Sequence, residues 1–150
     1  MKKISYLYLI LTLPLVLFSC QTMPQRGTSV SREITGTPVL SEQQLTQYFM
    51  FKNPSADKKQ VQRLARLYIQ EGAYEGINSD VAFAQMCLET GYLTFGNLVV
   101  PEMHNYCGLG AIDKEHPGEG WKTEQEGVRA HIQHLHAYAT TSEKTLKNPL

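Results

Sequence analysis

An excess of charge of one sign is the first thing this 150-residue chain lacks: Lys and Arg number 14, and so do Asp and Glu. That balance gives no basic surface arguing for nucleic acid and no acidic tail. Cysteine is scarce, three residues in all. Apart from Cys20 there are only Cys87 and Cys107, which could pair outside the cytoplasm, although nothing in their spacing demands it. No internal repeat is visible. The longest apolar run, Ile4 to Phe18, is too short for a comfortable membrane span.

That run is informative for what surrounds it. Lys2 and Lys3 precede it and "LFSC", Leu17 to Cys20, closes it, which is the order of a secretory signal whose end resembles a lipobox. In that resemblance residues 1–19 are removed and Cys20 carries lipid. More than one acyl chain gives stable anchoring. The expected location is the cell envelope, anchored in the outer membrane and facing the periplasm. Residues 20–39, polar and rich in Thr, Ser, Gly and Pro, read as a flexible tether. Residues 40–150 suit one small domain with one modest core, expected to be monomeric.

Four helices can be read in the domain. The first opens at Ser41, with Gln44 at capping-box spacing, and stops before Asn53-Pro54. The second, Asp57 to Glu71, puts Val61, Leu64, Ala65 and Tyr68 on one stripe and is closed by Gly72. The third follows Asn78-Ser79 and runs to about Thr90. It is apolar nearly all round, so it is expected to be the central, buried helix. The fourth starts at Thr123, whose capping partner is Glu126, and carries Val128, Ile132, Leu135 and Ala139 on one face. Between the last two, "NYCGLGAI" and "HPGEGW" fit a short hairpin. The expectation is a mostly helical body with a small β-hairpin and loop lobe, and a cleft between them.

The third helix ends in one carboxylate, Glu89, followed by Gly91, Tyr92 and Phe95. On a helix Glu89 shares a face with Gln85, while Cys87 points almost oppositely. Burial beside Met86, Tyr92 and Phe95, together with the negative end of the helix dipole, is expected to raise its pKa. A carboxyl kept protonated near neutral pH can donate a proton to a leaving group. The same residues also fit a structural role, in which Glu89 caps a turn or pairs with an arginine such as Arg129.

"AFAQMCLETGYLTFGN" resembles the catalytic segment of the bacterial glucosaminidases of glycoside hydrolase family 73. "NYCGLGA" is similar to that family's Asn-x-Phe-Gly-Ile segment, and "EGVRAHIQHLHAYA" resembles its closing helix. The resemblance covers about Leu40 to Thr140, with the motifs in the family's order. It implies an α+β, lysozyme-like fold, cleavage of peptidoglycan glycan strands after N-acetylglucosamine, and Glu89 as the general acid; no cofactor is called for. Tyr92 stands where many relatives have Trp, Cys107 replaces Phe, and Gly110 replaces a common Lys. The chain ends at "KNPL", where many relatives continue through an Asn-Pro-x-Tyr-like segment bearing a tyrosine near the cleft. Two alternatives stay open: a lysozyme or lytic transglycosylase acting on the same polymer, and a non-catalytic wall-binding lipoprotein.

Gln85, Tyr92, Asn105 and Tyr106 are the candidate substrate contacts, the last two because the turn at Gly108 and Gly110 brings backbone close to a ligand. A second catalytic carboxylate has four candidates, Glu102, Asp113, Glu115 and Glu119, each also readable as a solvated loop charge; the substrate's own acetamido group is the other option. His131, His134 and His136 invite a zinc reading, but only His131 and His134 share a face and no carboxylate completes a set. No metal is expected, and the histidines read as a polar flank. Trp121, just before the last cap, reads as a staple-like core contact.

Overall fold

The computed structural model describes residues 29–140 and 146–150. The signal-like segment and Cys20 lie outside the described residues. Four α-helices form the body: α1 (Glu42–Lys52), α2 (Lys58–Glu75), α3 (Ser79–Glu89) and α4 (Glu124–Ala139). Their starts follow local chemistry. The Ser41 hydroxyl accepts from the Gln44 N–H while the Gln44 side chain accepts from the Ser41 N–H, and the Thr123 hydroxyl accepts from the Glu126 N–H. Asp57 and Asn78 cap α2 and α3 in the same manner.

Helix α2 continues through Gly72 and ends four residues later, at Gly76 in the left-handed conformation (φ 70°). Its predicted stripe, Val61, Leu64, Ala65 and Tyr68, is fully buried. This helix is the hub, packing against α1, α3 and α4. The expected centre, α3, buries Ala82, Phe83, Met86 and Cys87 but leaves Ala84, Leu88 and Glu89 exposed. Its apolar residues all round the helix serve two purposes: one face joins the core and the other walls a groove.

The lobe between α3 and α4 holds a short 3-10 turn, Pro101–Met103, and a single antiparallel bridge between Ala111 and Pro117. The expected hairpin does not form a pair of strands. Pro117 has no N–H to extend the ladder, and Gly110 and Gly118 adopt positive φ on either side of the bridge. Two longer ties still close the lobe, Glu119 N–H to the Leu109 carbonyl and Ile112 N–H to the His116 carbonyl, both 2.9 Å. Gly127 docks this lobe on α4: a Cβ there would lie 1.9 Å from the His104 carbonyl oxygen, so only glycine allows the approach.

The end of the polar stretch read as tether is held on the body. The Asn78 side chain donates to the Ser31 and Glu33 carbonyls, and the buried Asp80 carboxylate accepts from the Val39 and Leu40 N–H groups. Ile34 packs against the core. At the other end, Glu75 accepts from the N–H groups of Lys147 and Asn148, both 3.2 Å.

Candidate active site

Glu89 is the last residue of α3, and the chain then turns in an unusual way. Gly91, Tyr92 and Leu93 all have φ between 56° and 62°, and Phe95 has φ 48°. Left-handed backbone costs a residue with a Cβ roughly 1–2 kcal/mol, so three such residues must be over-determined by their surroundings. Thr90 supplies part of this. Its hydroxyl donates back to the Met86 carbonyl (2.8 Å) and accepts from the Leu93 N–H (3.0 Å). The Tyr92 N–H reaches the Cys87 carbonyl at 2.7 Å and the Phe95 N–H the Thr90 carbonyl at 2.9 Å. Asn53 of the α1–α2 link donates to the Tyr92 carbonyl, and all three side chains pack on the core.

This turn sends residues 95–99 back past Glu89 and makes them one wall of a cleft of about 340 Å³. Asn105, Gly108 and Ala111 of the lobe form the opposite wall. Glu89 is exposed in that cleft, not buried beside Met86, Tyr92 and Phe95 as expected: Met86 is in the core, Tyr92 does not line the cleft, and of the three only Phe95 shares it with the carboxylate. Among the described residues no ion pair holds Glu89. Arg129, the partner a structural role would need, is instead bound to Glu71 at 3.0 Å.

The other candidates separate clearly. Asn105 lines the cleft but is almost fully buried, and its side chain organises the lobe. Its amide donates to the Leu109 and Glu119 carbonyls, and its oxygen accepts from the Cys107 and Leu109 N–H groups. Tyr106 is a core residue, 1% exposed, and does not line the cleft. Tyr92 stacks edge-on against Phe49 and hydrogen-bonds the Tyr48 hydroxyl at 3.0 Å; that bond is the main cause of its hydroxyl pKa being raised to about 12. Gln85 lines a second, largely apolar groove of about 600 Å³, which meets the Glu89 cleft at Leu88.

None of Glu102, Asp113, Glu115 and Glu119 lines the cleft, and all four are exposed. Asp113 is held below the usual carboxylate range by its bonds to the His116 side chain and N–H. Cys87 and Cys107 are free thiols. Burial pushes Cys87 up to about 12 and Cys107 to about 11, with the charge of Glu89 adding to the second. Cys107 is thus a neutral neighbour of the candidate acid.

Two of the three histidines are not a polar flank; only His134 keeps partial exposure. His131 and His136 are buried and bonded to α2: the Tyr68 hydroxyl bonds His131 Nδ1 at 2.8 Å, and His136 Nδ1 donates to the Glu75 carbonyl at 3.0 Å, while His136 Nε2 is buried without a partner among the described residues. Trp121 stays half-exposed and outside the core set. Its backbone pins the 3-10 turn instead, through Met103 O and His104 Nδ1.

Residues 65–149, from mid-α2 through the cleft and α4, match the glucosaminidase family described as mannosyl-glycoprotein endo-beta-N-acetylglucosaminidase. The chain belongs to this family. Glucosaminidases are glycoside hydrolases, a chemistry that works through carboxyl groups beside the scissile bond, and Glu89 is the carboxylate that lines this cleft. The chain is also 45% identical over 96 residues to an uncharacterized protein of Borreliella burgdorferi, a match covering 64% of this chain and 47% of that protein. It therefore spans about half the length of the curated relative it matches. No solved structure matches.

Two features of the cleft escaped the sequence reading. Thr90 as the pin of the turn was legible in principle, since Thr four residues after Met86 can bond back to its carbonyl. Of the wall at 95–99, Phe95, Gly96 and Asn97 belong to the segment read as catalytic, but Leu98 and Val99 carried no sequence signal.

Proposed function

We propose that this chain is a peptidoglycan hydrolase, an endo-β-N-acetylglucosaminidase in which Glu89 is the general acid. The observation that carries the reading is the placement of Glu89: a carboxylate free of ion pairs among the described residues, at the end of α3, between two walls of a cleft inside the family-matched segment. Its proton passes to the glycosidic oxygen as the C1–O bond breaks, and that oxygen keeps the bonding electron pair. None of the four lobe carboxylates lines the cleft, so C1 is attacked by water directly, which releases a proton to solvent, or first by the substrate's own acetamido oxygen, and water then opens that intermediate and returns a proton to the Glu89 carboxylate. Gln85 and the backbone around Asn105 contact the strand.

A single lining carboxylate also fits a lytic transglycosylase, which is the second reading. Mass spectrometry of fragments released from purified peptidoglycan separates the two: reducing-end N-acetylglucosamine supports the first, anhydro-muramic acid the second. Glu89→Gln tests the acid itself. Activity falls by roughly 10²–10⁴-fold while the protein folds as before, and digestion at the parental rate overturns the assignment. The lipobox-like "LFSC" supports anchoring through Cys20; Cys20→Ser then leaves the membrane fraction, and a variant still bound and cut at the same place refutes the anchor.

A further inference from the structure

One chain of polar groups runs from the core to Gln85 at the edge of the site. The Tyr68 hydroxyl, on α2, meets His131 Nδ1, on α4, at 2.8 Å, and His131 Nε2 meets the Gln85 side-chain oxygen, on α3, at 3.4 Å. Tyr68 and His131 are both fully buried, and their rings meet edge to face. The directions follow from the end of the chain. An amide oxygen can only accept, so Nε2 carries the ring proton; Nδ1 is then a lone pair and takes the Tyr68 O–H. Burial, with the neighbouring His134 adding to it, pushes the imidazole down to about 3, so the ring is neutral at working pH.

Gln85 sits one turn before Glu89, half-exposed, beside the Leu88 at which groove and cleft join. Its oxygen is committed inward, while its NH2 has no hydrogen-bond partner among the described residues. A half-exposed donor whose amide oxygen is engaged from behind, at 3.4 Å, is placed to meet an acceptor from solution.

We propose that His131 is a positioning residue of the glycan site: fixed as the Nε2–H tautomer by Tyr68, it holds the Gln85 oxygen and turns the Gln85 NH2 toward a carbonyl or hydroxyl oxygen of an N-acetylated sugar. The assignment rests on the glycosidase reading above. It gives a role in recognition to two buried residues, neither of which touches substrate.

A double-mutant cycle tests it, with reducing ends released from peptidoglycan measured against substrate concentration. Gln85→Ala and Tyr68→Phe each raise KM by roughly 2- to 10-fold, the scale of one hydrogen bond, with kcat less affected. In the Gln85→Ala background Tyr68→Phe adds nothing to KM, although it lowers the urea midpoint equally in both backgrounds. His131→Gln, whose amide can still donate toward Gln85, retains a lower KM than His131→Leu. An active parent whose KM losses multiply independently overturns the positioning role and leaves the glycosidase reading standing. A parent that neither cleaves nor binds peptidoglycan overturns the glycosidase reading and this assignment with it.

Discussion

Acid should destabilise this protein through His131. The ring is fully buried, and burial takes its pKa from 6.5 to about 3. The folded state therefore refuses a proton that the unfolded chain accepts below about 6.5. Stability from this group is complete above that value and is lost progressively as pH falls toward 3, because the unfolded state binds more protons throughout the window. Each unit of separation is worth about 1.4 kcal/mol, so at pH 5 the loss is about 2 kcal/mol, and the slope approaches 1.4 kcal/mol per pH unit below that. Against the 5–15 kcal/mol typical of a domain, this is large. Urea melts at pH 7, 6, 5 and 4.5 on the parent and on His131→Gln measure it. The parental midpoint falls with pH, and the variant, less stable at pH 7, shows a slope shallower by about the amount above. Equal slopes in the two proteins would refute the reasoning, since carboxylates common to both would then carry the whole effect.

Three further outcomes follow from the packing. Glu71→Ala removes a fully buried carboxylate that Arg129 grips through Nε (3.0 Å) and Nη2 (3.2 Å) and Gln125 through its amide (2.8 Å); stranding these donors costs about 3 kcal/mol, read in denaturant melts. Gly127→Ala drives a methyl into the His104 carbonyl and pushes the lobe off α4, costing about 1–3 kcal/mol and exposing lobe amides to hydrogen exchange. Cys107, held near 11, is alkylated slowly at pH 8. Glu89→Gln removes the nearby charge and speeds that reaction, whereas an unchanged rate would mean the two groups are not neighbours.

The sequence by itself determined what depends on neighbours along the chain. Ser41 with Gln44, Thr123 with Glu126, the α2 stripe and a helix ending at Glu89 all emerged as read, because caps and 3.6-residue periodicity act within a turn or two. The order of motifs sufficed for the family as well. Tertiary structure decided where each face and each polar group went. Only packing shows that α2 is the hub and that α3 spends half its apolar surface on a groove. Composition marks an apolar residue as buriable but does not say what will cover it. Glu89 is exposed beside a left-handed turn that is held both by the end of α3 and by Asn53, far away in sequence. His131 is in the core because a hydroxyl 63 residues away in sequence meets it there. A buried polar side chain is stable only with its partner in place, and that partner is chosen by the fold.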